Sequence, residues 1–212
     1  MAESHITKNA LAAALKTLMR QKPFEKISIS DICSQCGMSR KSFYYHFRDK
    51  YDLVNWIFDS EFIAVNLPPS DQDDWSLLAQ LCQYLYENRC FYRKAMTIDG
   101  QNAFRSHFRQ RLAWFIGQAL ETMLDKDRVT DYHVDFLNDG LVGAIERWLL
   151  SKDPIESTVF LEHIETVLID TAVILAGSFA SYTYLVPSFL SRIPVVFSSV
   201  GTPSKSRSGR CA

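Results

Sequence analysis

The sequence predicts an all-α protein in which a small three-helix head of helix-turn-helix type precedes a larger helical body. Three observations lead there. Apolar residues recur at spacings of three and four from Leu11 to Val173, the period that lines one face of a helix. Ser28, Ser39 and Asp49 stand where successive short helices would open, and such side chains accept from otherwise unpaired first-turn amides. Gly37 follows the second apolar stripe and is free to take the positive φ that a tight inter-helix turn commonly needs.

The first helix is expected over residues 7–21, with Leu11, Leu15, Leu18 and Met19 on one face and Ala10, Ala12, Ala13 and Ala14 supporting it. Pro23 ends it, because proline cannot continue a helix interior. Ser28 with Asp31 resembles a capping box, Asp replacing the usual Glu, and opens a helix with core face Ile29, Ile32, Cys33 and Cys36. Ser39 caps a third helix in which Phe43 and Phe47, four apart, face inward together. Asp49 caps a fourth, with Asp52 at its third position and Leu53, Trp56, Ile57 and Phe58 on its apolar side. Pro68, Pro69 and three aspartates mark a loop across residues 66–74.

The body reads as helices over Trp75–Asn88, Phe91–Ile98, Gln101–Leu124 and Thr130–Leu150, with Asp99 and Gly100 as a break. A last helix is expected to be capped by Asp153, with Pro154 at its first position and Phe160, Leu161, Ile164, Val167, Leu168 and Val173 on its face. Two long apolar-faced helices in succession predict an antiparallel hairpin that pairs with a second copy as a four-helix interface, making a homodimer. The expected organisation is a head over 1–60, a regulatory and dimerising body over 61–175, and a disordered or atypical tail over 176–212. That tail has nine serines, three prolines and no acidic residue. The 21 residues Thr171–Ser191 carry no charge, but their Ser, Thr and Tyr content and Pro187 argue against a membrane span.

Net charge is -1, yet it is unevenly distributed: residues 1–50 sum to +5, residues 51–175 to -10 and residues 176–212 to +4. A basic head on an acidic body lets one end alone approach a polyanion. The five cysteines are irregularly spaced, which predicts free thiols in a reducing compartment, and no basic-then-apolar leader follows Met1; a cytoplasmic location is expected. Cys33 and Cys36 sit on the buried face with no second ligand pair at zinc spacing, so neither a metal nor a redox role is expected of them. No cofactor is expected.

The stretch from Ile27 to Leu53 is the informative one. Ile32, Gly37, Met38, Ser39, the run Phe43 to Phe47 and Lys50 agree in register with the DNA-binding head of the TetR/AcrR family of transcriptional regulators, which this segment resembles. The resemblance implies a nucleoid-associated regulator whose partner is an operator in double-stranded DNA. Independently, a helix entering the major groove by its N-terminal end would bring Arg40, Lys41 and Ser42 nearest the base edges. The resemblance assigns Tyr44, His46 and Lys50 to the phosphate backbone and places Ser28 and Ser30 near the phosphates of the other strand; Ser39 and Tyr45 complete the expected DNA-binding set. Position 41 is commonly small in the family and is Lys41 here. Two plainer readings stay open: Tyr44 or Tyr45 packing on the first helix, and Lys50 as a solvated helix-start residue.

In the body, Phe91 to Ala95, Asp99 to Phe104 and Gly140 to Trp148 resemble the DhaS-type branch of that family, which includes an activator of dihydroxyacetone utilisation. The resemblance implies control at the body by a partner protein that senses the metabolite. A small-molecule pocket lined by His107, Phe108, Trp114, Phe115 and Tyr132 is the other expectation, set against the reading of those aromatics as core. The sequence has no phosphate-cradling glycine loop, nucleophile elbow or His-Glu-x-x-His pair, so no enzyme is predicted. The rival function is a helical protein-binding adaptor without an operator, which loss of the basic head would mark; Arg40, Lys41 and Lys50 are present.

Overall fold

Alanine-rich sequence with no breaker before Pro23 carries α1 over Ala2–Gln21, further toward the N-terminus than the apolar stripe reaches. The structure is a computed structural model describing residues 2–66, 74–100, 103–123, 127 and 129–179. Past Pro23 the chain makes one 3-10 turn, Phe24–Lys26, too short for any periodic signal to announce. Both halves of the expected capping box then open α2, Ile29–Gln35: Asp31 N–H donates to Ser28 Oγ at 3.1 Å and Ser28 N–H donates to Asp31 Oδ2 at 2.8 Å. Gly37 takes φ +68° at the turn. The Ser39 hydroxyl accepts from the Ser42 amide at the start of α3, Arg40–His46, and Asp49 accepts from the Asp52 amide at the start of α4, Lys50–Phe58.

The fourth helix does not stop at Phe58. It passes into a π-helical turn, Asp59–Ile63, and then into α5, Ala64–Asn66, so residue 60 lies inside continuous helix. Residues 67–73, most of the expected loop, lie outside the described residues. The body continues as α6 (Asp74–Glu87), α7 (Arg89–Met96), α8 (Phe104–Met123), α9 (Asp131–Leu150) and α10 (Ser157–Phe179). Among the described residues there is no strand, in agreement with the all-α expectation. No described helix is long and apolar enough to cross a membrane.

The start of α10 differs from expectation. Asp153 and Pro154 do not open it; the helix begins at Ser157. The Trp148 indole donates to the Ile155 carbonyl at 2.8 Å, and Phe160 stacks on the Trp148 ring at 4.3 Å. Those tertiary contacts hold the connection against α9 and delay the helix past the local signal. At its far end α10 runs on through Phe179, beyond the expected boundary at 175. Residues 180–212, the rest of the expected tail, lie outside the described residues. The chain divides into compact units at Thr171 and Ala172, and the features below belong to the first.

One apolar core runs through that unit, from Leu11, Leu15, Ile32, Phe43 and Ile57 to Phe58, Leu85, Tyr92, Phe104 and Phe108. Its middle is aromatic: the Phe58 ring lies 5.5–6.5 Å from the rings of Phe62, Tyr84, Tyr92, Phe104 and Phe108. Aromatic pairs at such spacing gain from ring geometry as well as from burial.

Candidate nucleic-acid interface

Helix α3 is locked by one face and open on the other. Phe43 is 0% exposed and Phe47 3%; their rings lie 5.8 Å apart, and Phe47 meets Trp56 of α4 edge-on at 5.6 Å. The opposite face presents Arg40 and Lys41 with Tyr44 at 51% exposure and Tyr45 at 83%. Neither tyrosine is drawn into the core, so the packing alternative does not hold for either. Ser39 is exposed at the cap, Ser42 and His46 are half-buried, and Ser28 and Ser30 are exposed at the start of α2. The His46 ring stands edge-on to Tyr45 at 4.9 Å. Burial, then the nearby Lys8 ammonium, holds the pKa of His46 below its ordinary 6.5. This surface offers charged donors, hydroxyls and flat rings on a helix anchored by Phe43 and Phe47, which suits phosphates and base edges.

Lys8, which sequence reasoning missed, belongs beside this face. Its Nζ lies 5.8 Å from the Phe47 ring centroid and 5.6 Å from that of Trp56. Its only signal in the sequence is membership of the basic N-terminal segment; the fold of α1 across α3 and α4 brings it to the site.

Lys50 departs from the expected geometry. Its Nζ donates to the carbonyls of Phe24 at 2.7 Å and Ile27 at 2.9 Å, with that of Glu25 at 3.4 Å, and stands 4.3 Å from the Phe24 ring centroid. It is neither a solvated residue nor a cation held out from the surface. Nearby, Lys22 Nζ pairs with Asp31 Oδ2 at 2.9 Å. The Ser28 amide first, then Lys22, lowers the Asp31 carboxyl from 3.8 to about 2.

Cys33 is buried and its Sγ lies 3.6 Å from the Ser39 carbonyl; Cys36 Sγ lies 3.3 Å from the Ile32 carbonyl. Burial, then Cys36, pushes the Cys33 thiol up, so it stays protonated and packs as a small apolar group. Cys33, Cys36, Cys82 and Cys90 are free thiols, and Cys211 lies outside the described residues. Among the described residues no three His, Cys, Asp or Glu side chains are grouped to hold a metal ion.

The body residues expected to line a ligand pocket do not gather. Phe108 is in the core, at 5.5 Å from Phe58 and 5.8 Å from Phe104. Tyr132 is 87% exposed at the start of α9. Trp114 and Phe115 meet each other edge-on at 5.1 Å. His107 Nε2 shares a hydrogen bond with Asp59 Oδ1 at 2.9 Å, and Arg111 clamps the same carboxylate through Nε at 2.9 Å and Nη2 at 2.6 Å. Helical spacing put Phe108, Trp114 and Phe115 on α8 and Tyr132 on α9, but only packing separates a buried ring from an exposed one. A cavity of about 440 Å³ instead opens between α6 and α10, lined by Gln80, Gln83, Glu87, Ser157 and Leu161 among others, and holds none of the expected five.

Residues 10–57 match the bacterial regulatory proteins of the tetR family, and residues 73–170 match the transcriptional regulator C-terminal region. Over 143 residues the chain is 33% identical to the HTH-type dhaKLM operon transcriptional activator DhaS of Lactococcus lactis subsp. lactis (strain IL1403), spanning 67% of this chain and 74% of that one. The chain belongs to the TetR family. It is a transcriptional regulator of the DhaS type, with a DNA-binding head and a helical body. The solved structures agree on that fold. The dihydroxyacetone kinase operon activator DhaS superposes with TM-score 0.58 at 22% identity, covering 79% of this chain and 97% of that one. A TetR transcriptional regulator from Streptococcus agalactiae 2603V does so with TM-score 0.61 at 19% identity, covering 78% and 95%. In this TetR-family chain, α2, the Gly37 turn and α3 form the helix-turn-helix, with α3 as its second helix.

Proposed function

We propose that this regulator binds a short inverted repeat in double-stranded DNA as a homodimer, with α3 of each protomer entering the major groove. The observation that carries this reading is the division of α3 between two hidden phenylalanines and an open face of Arg40, Lys41, Tyr44 and Tyr45. Arg40, Lys41 and Ser42, at the N-terminal end, read base edges; Tyr44, Tyr45, His46, Ser28, Ser30 and the cap at Ser39 serve the backbone. The net +5 of residues 1–50 steers this end toward DNA while the acidic body stays off it. Dimerisation through α9 and α10 is supported by apolar side chains that one protomer leaves in water: Tyr132, Phe136, Val167, Leu168 and Ile169.

Control acts at the body and changes the separation of the two heads, through a small molecule or a partner protein. The filled aromatic interior around Phe58 leaves no room there for a small molecule and favours the partner protein; a small molecule would have to use the cavity between α6 and α10. The regulator works by binding, with no catalytic step, in the cytoplasm at the nucleoid.

Genomic capture followed by footprinting tests the reading. Two protected half-sites are expected about 34–36 Å apart along one face of the duplex. Arg40→Ala should change the ranking of operator sequences, each lost base contact being worth about 1–3 kcal/mol. Equal losses on all sequences would refute base reading by Arg40. If the dimer binds no duplex even at low ionic strength, the regulator reading fails and the adaptor reading takes its place.

A further inference from the structure

We infer that Lys50 is a positioning residue: its ammonium ties the linker between α1 and α2 to the first turn of α4, and so sets how the helix-turn-helix is presented. For its effect on DNA this rests on the reading above; the tie itself does not.

The linker has a backbone problem that Lys50 solves. Pro23 prevents α1 from continuing, and the 3-10 turn closes only the bonds from Lys26 N–H to the Pro23 carbonyl and from Ile27 N–H to the Phe24 carbonyl. The Phe24 carbonyl is thus met once, but that of Ile27 is met by neither bond, and both residues are buried, at 3% and 1% exposure, where an unmet acceptor is costly. Lys50 meets both, at 2.7 and 2.9 Å, with the Glu25 carbonyl at 3.4 Å. Its charge also stands over the Phe24 ring at 4.3 Å, and that ring meets Tyr51 edge-on at 5.1 Å. The arrangement is bought against local preference. A cation in the first turn of α4 faces the positive end of the helix dipole, so the carbonyls must outweigh an unfavourable position. A lysine placed only to meet a phosphate would project outward. This one is turned into the protein, across a sequence distance from Ile27 to Lys50 that encloses both helices of the reading unit. Burial pulls its pKa below the ordinary lysine value while Glu25 opposes that shift, as a partly desolvated ammonium among carbonyls should behave.

The test compares the full-length wild type with Lys50→Met in two measurements. In hydrogen exchange without DNA, amides between residues 24 and 29 should exchange at least about tenfold faster in the variant. In binding to a duplex of arbitrary sequence across a salt series, affinity should fall while the slope of log affinity against log salt stays unchanged. A phosphate ligand would behave otherwise: its loss should make the slope shallower by about 0.9. A shallower slope, or wild-type exchange at residues 24–29, overturns the inference. If Lys50→Met does not fold, Lys50→Arg takes its place, since a planar guanidinium keeps the charge but not the three-pronged fit. Faster exchange at the linker then supports the tie, and wild-type exchange there overturns it. Because the exchange measurement needs no DNA, a protein that bound no duplex would sink the regulator reading and still leave the tie decided.

Discussion

At Asp31 a single carboxylate does two jobs, receiving the Ser28 amide that opens α2 and pairing with Lys22 at the end of α1. The spacing of Ser28 and Asp31 made the first job legible, because a capping box is local and needs only three residues of chain. The second depended on how α1 and α2 lie together. Both favour the ionised form, and the carboxyl is held at about 2 against an ordinary 3.8. Its folded pKa is lower than its unfolded one, so its contribution to stability is complete above about pH 4 and drains away as pH falls through about 2. Asp31→Asn should therefore melt lower than the wild type at neutral pH and lose less on acidification through that window. Thermal melts at a series of pH values check it; parallel curves for the two proteins would refute the role.

Among the elements, α4 is the one most changed by tertiary structure. Its start, with Asp49 and Asp52, was plain in the sequence, and its apolar side was correctly placed at Leu53, Ile57 and Phe58. Its continuation was not, since a π turn has no period of its own and π turns arise where packing asks for an extra residue. The turn Asp59–Ile63 places Asp59 on His107 and Arg111 of α8, and Glu61 on Lys16 of α1 at 2.5 Å and on the Tyr84 hydroxyl of α6 at 2.9 Å. Burial raises the Asp59 carboxyl, but bonds from His107 and Arg111 outweigh it and the net shift is downward. Phe58 stands at the entry to this turn, 1% exposed among five rings. Phe58→Ala should cost about 3–5 kcal/mol, seen as a lower denaturant midpoint. A cost below about 1 kcal/mol would mean that the rings close over the gap and that the core is less tightly packed than the structure has it.

For the molecule as a whole, the uneven charge and the uncovered apolar faces point in complementary directions: a basic end for DNA and an apolar side for a second copy. Val167, Leu168 and Ile169 lie in water on α10 of one protomer at 61%, 43% and 43% exposure. Val167→Asp with Leu168→Asp should turn a dimer into a monomer in sedimentation while leaving helix content unchanged. An unaltered dimer would place the interface elsewhere.

The sequence by itself determined what local physics controls: the helical period, the caps at Ser28, Ser39 and Asp49, the turn at Gly37, and the division of α3 into Phe43 and Phe47 within and Arg40 and Lys41 without. Each of these is settled by residues within a turn or two of one another. Only the tertiary structure decided that Lys50 points inward, that Lys8 comes over the Phe47 and Trp56 rings, that α10 waits until Ser157, and that Phe108 is core while Tyr132 is surface. Those outcomes depend on which buried carbonyls, rings and charges distant segments bring together, and helical spacing records the face a residue occupies, not what will be packed against it.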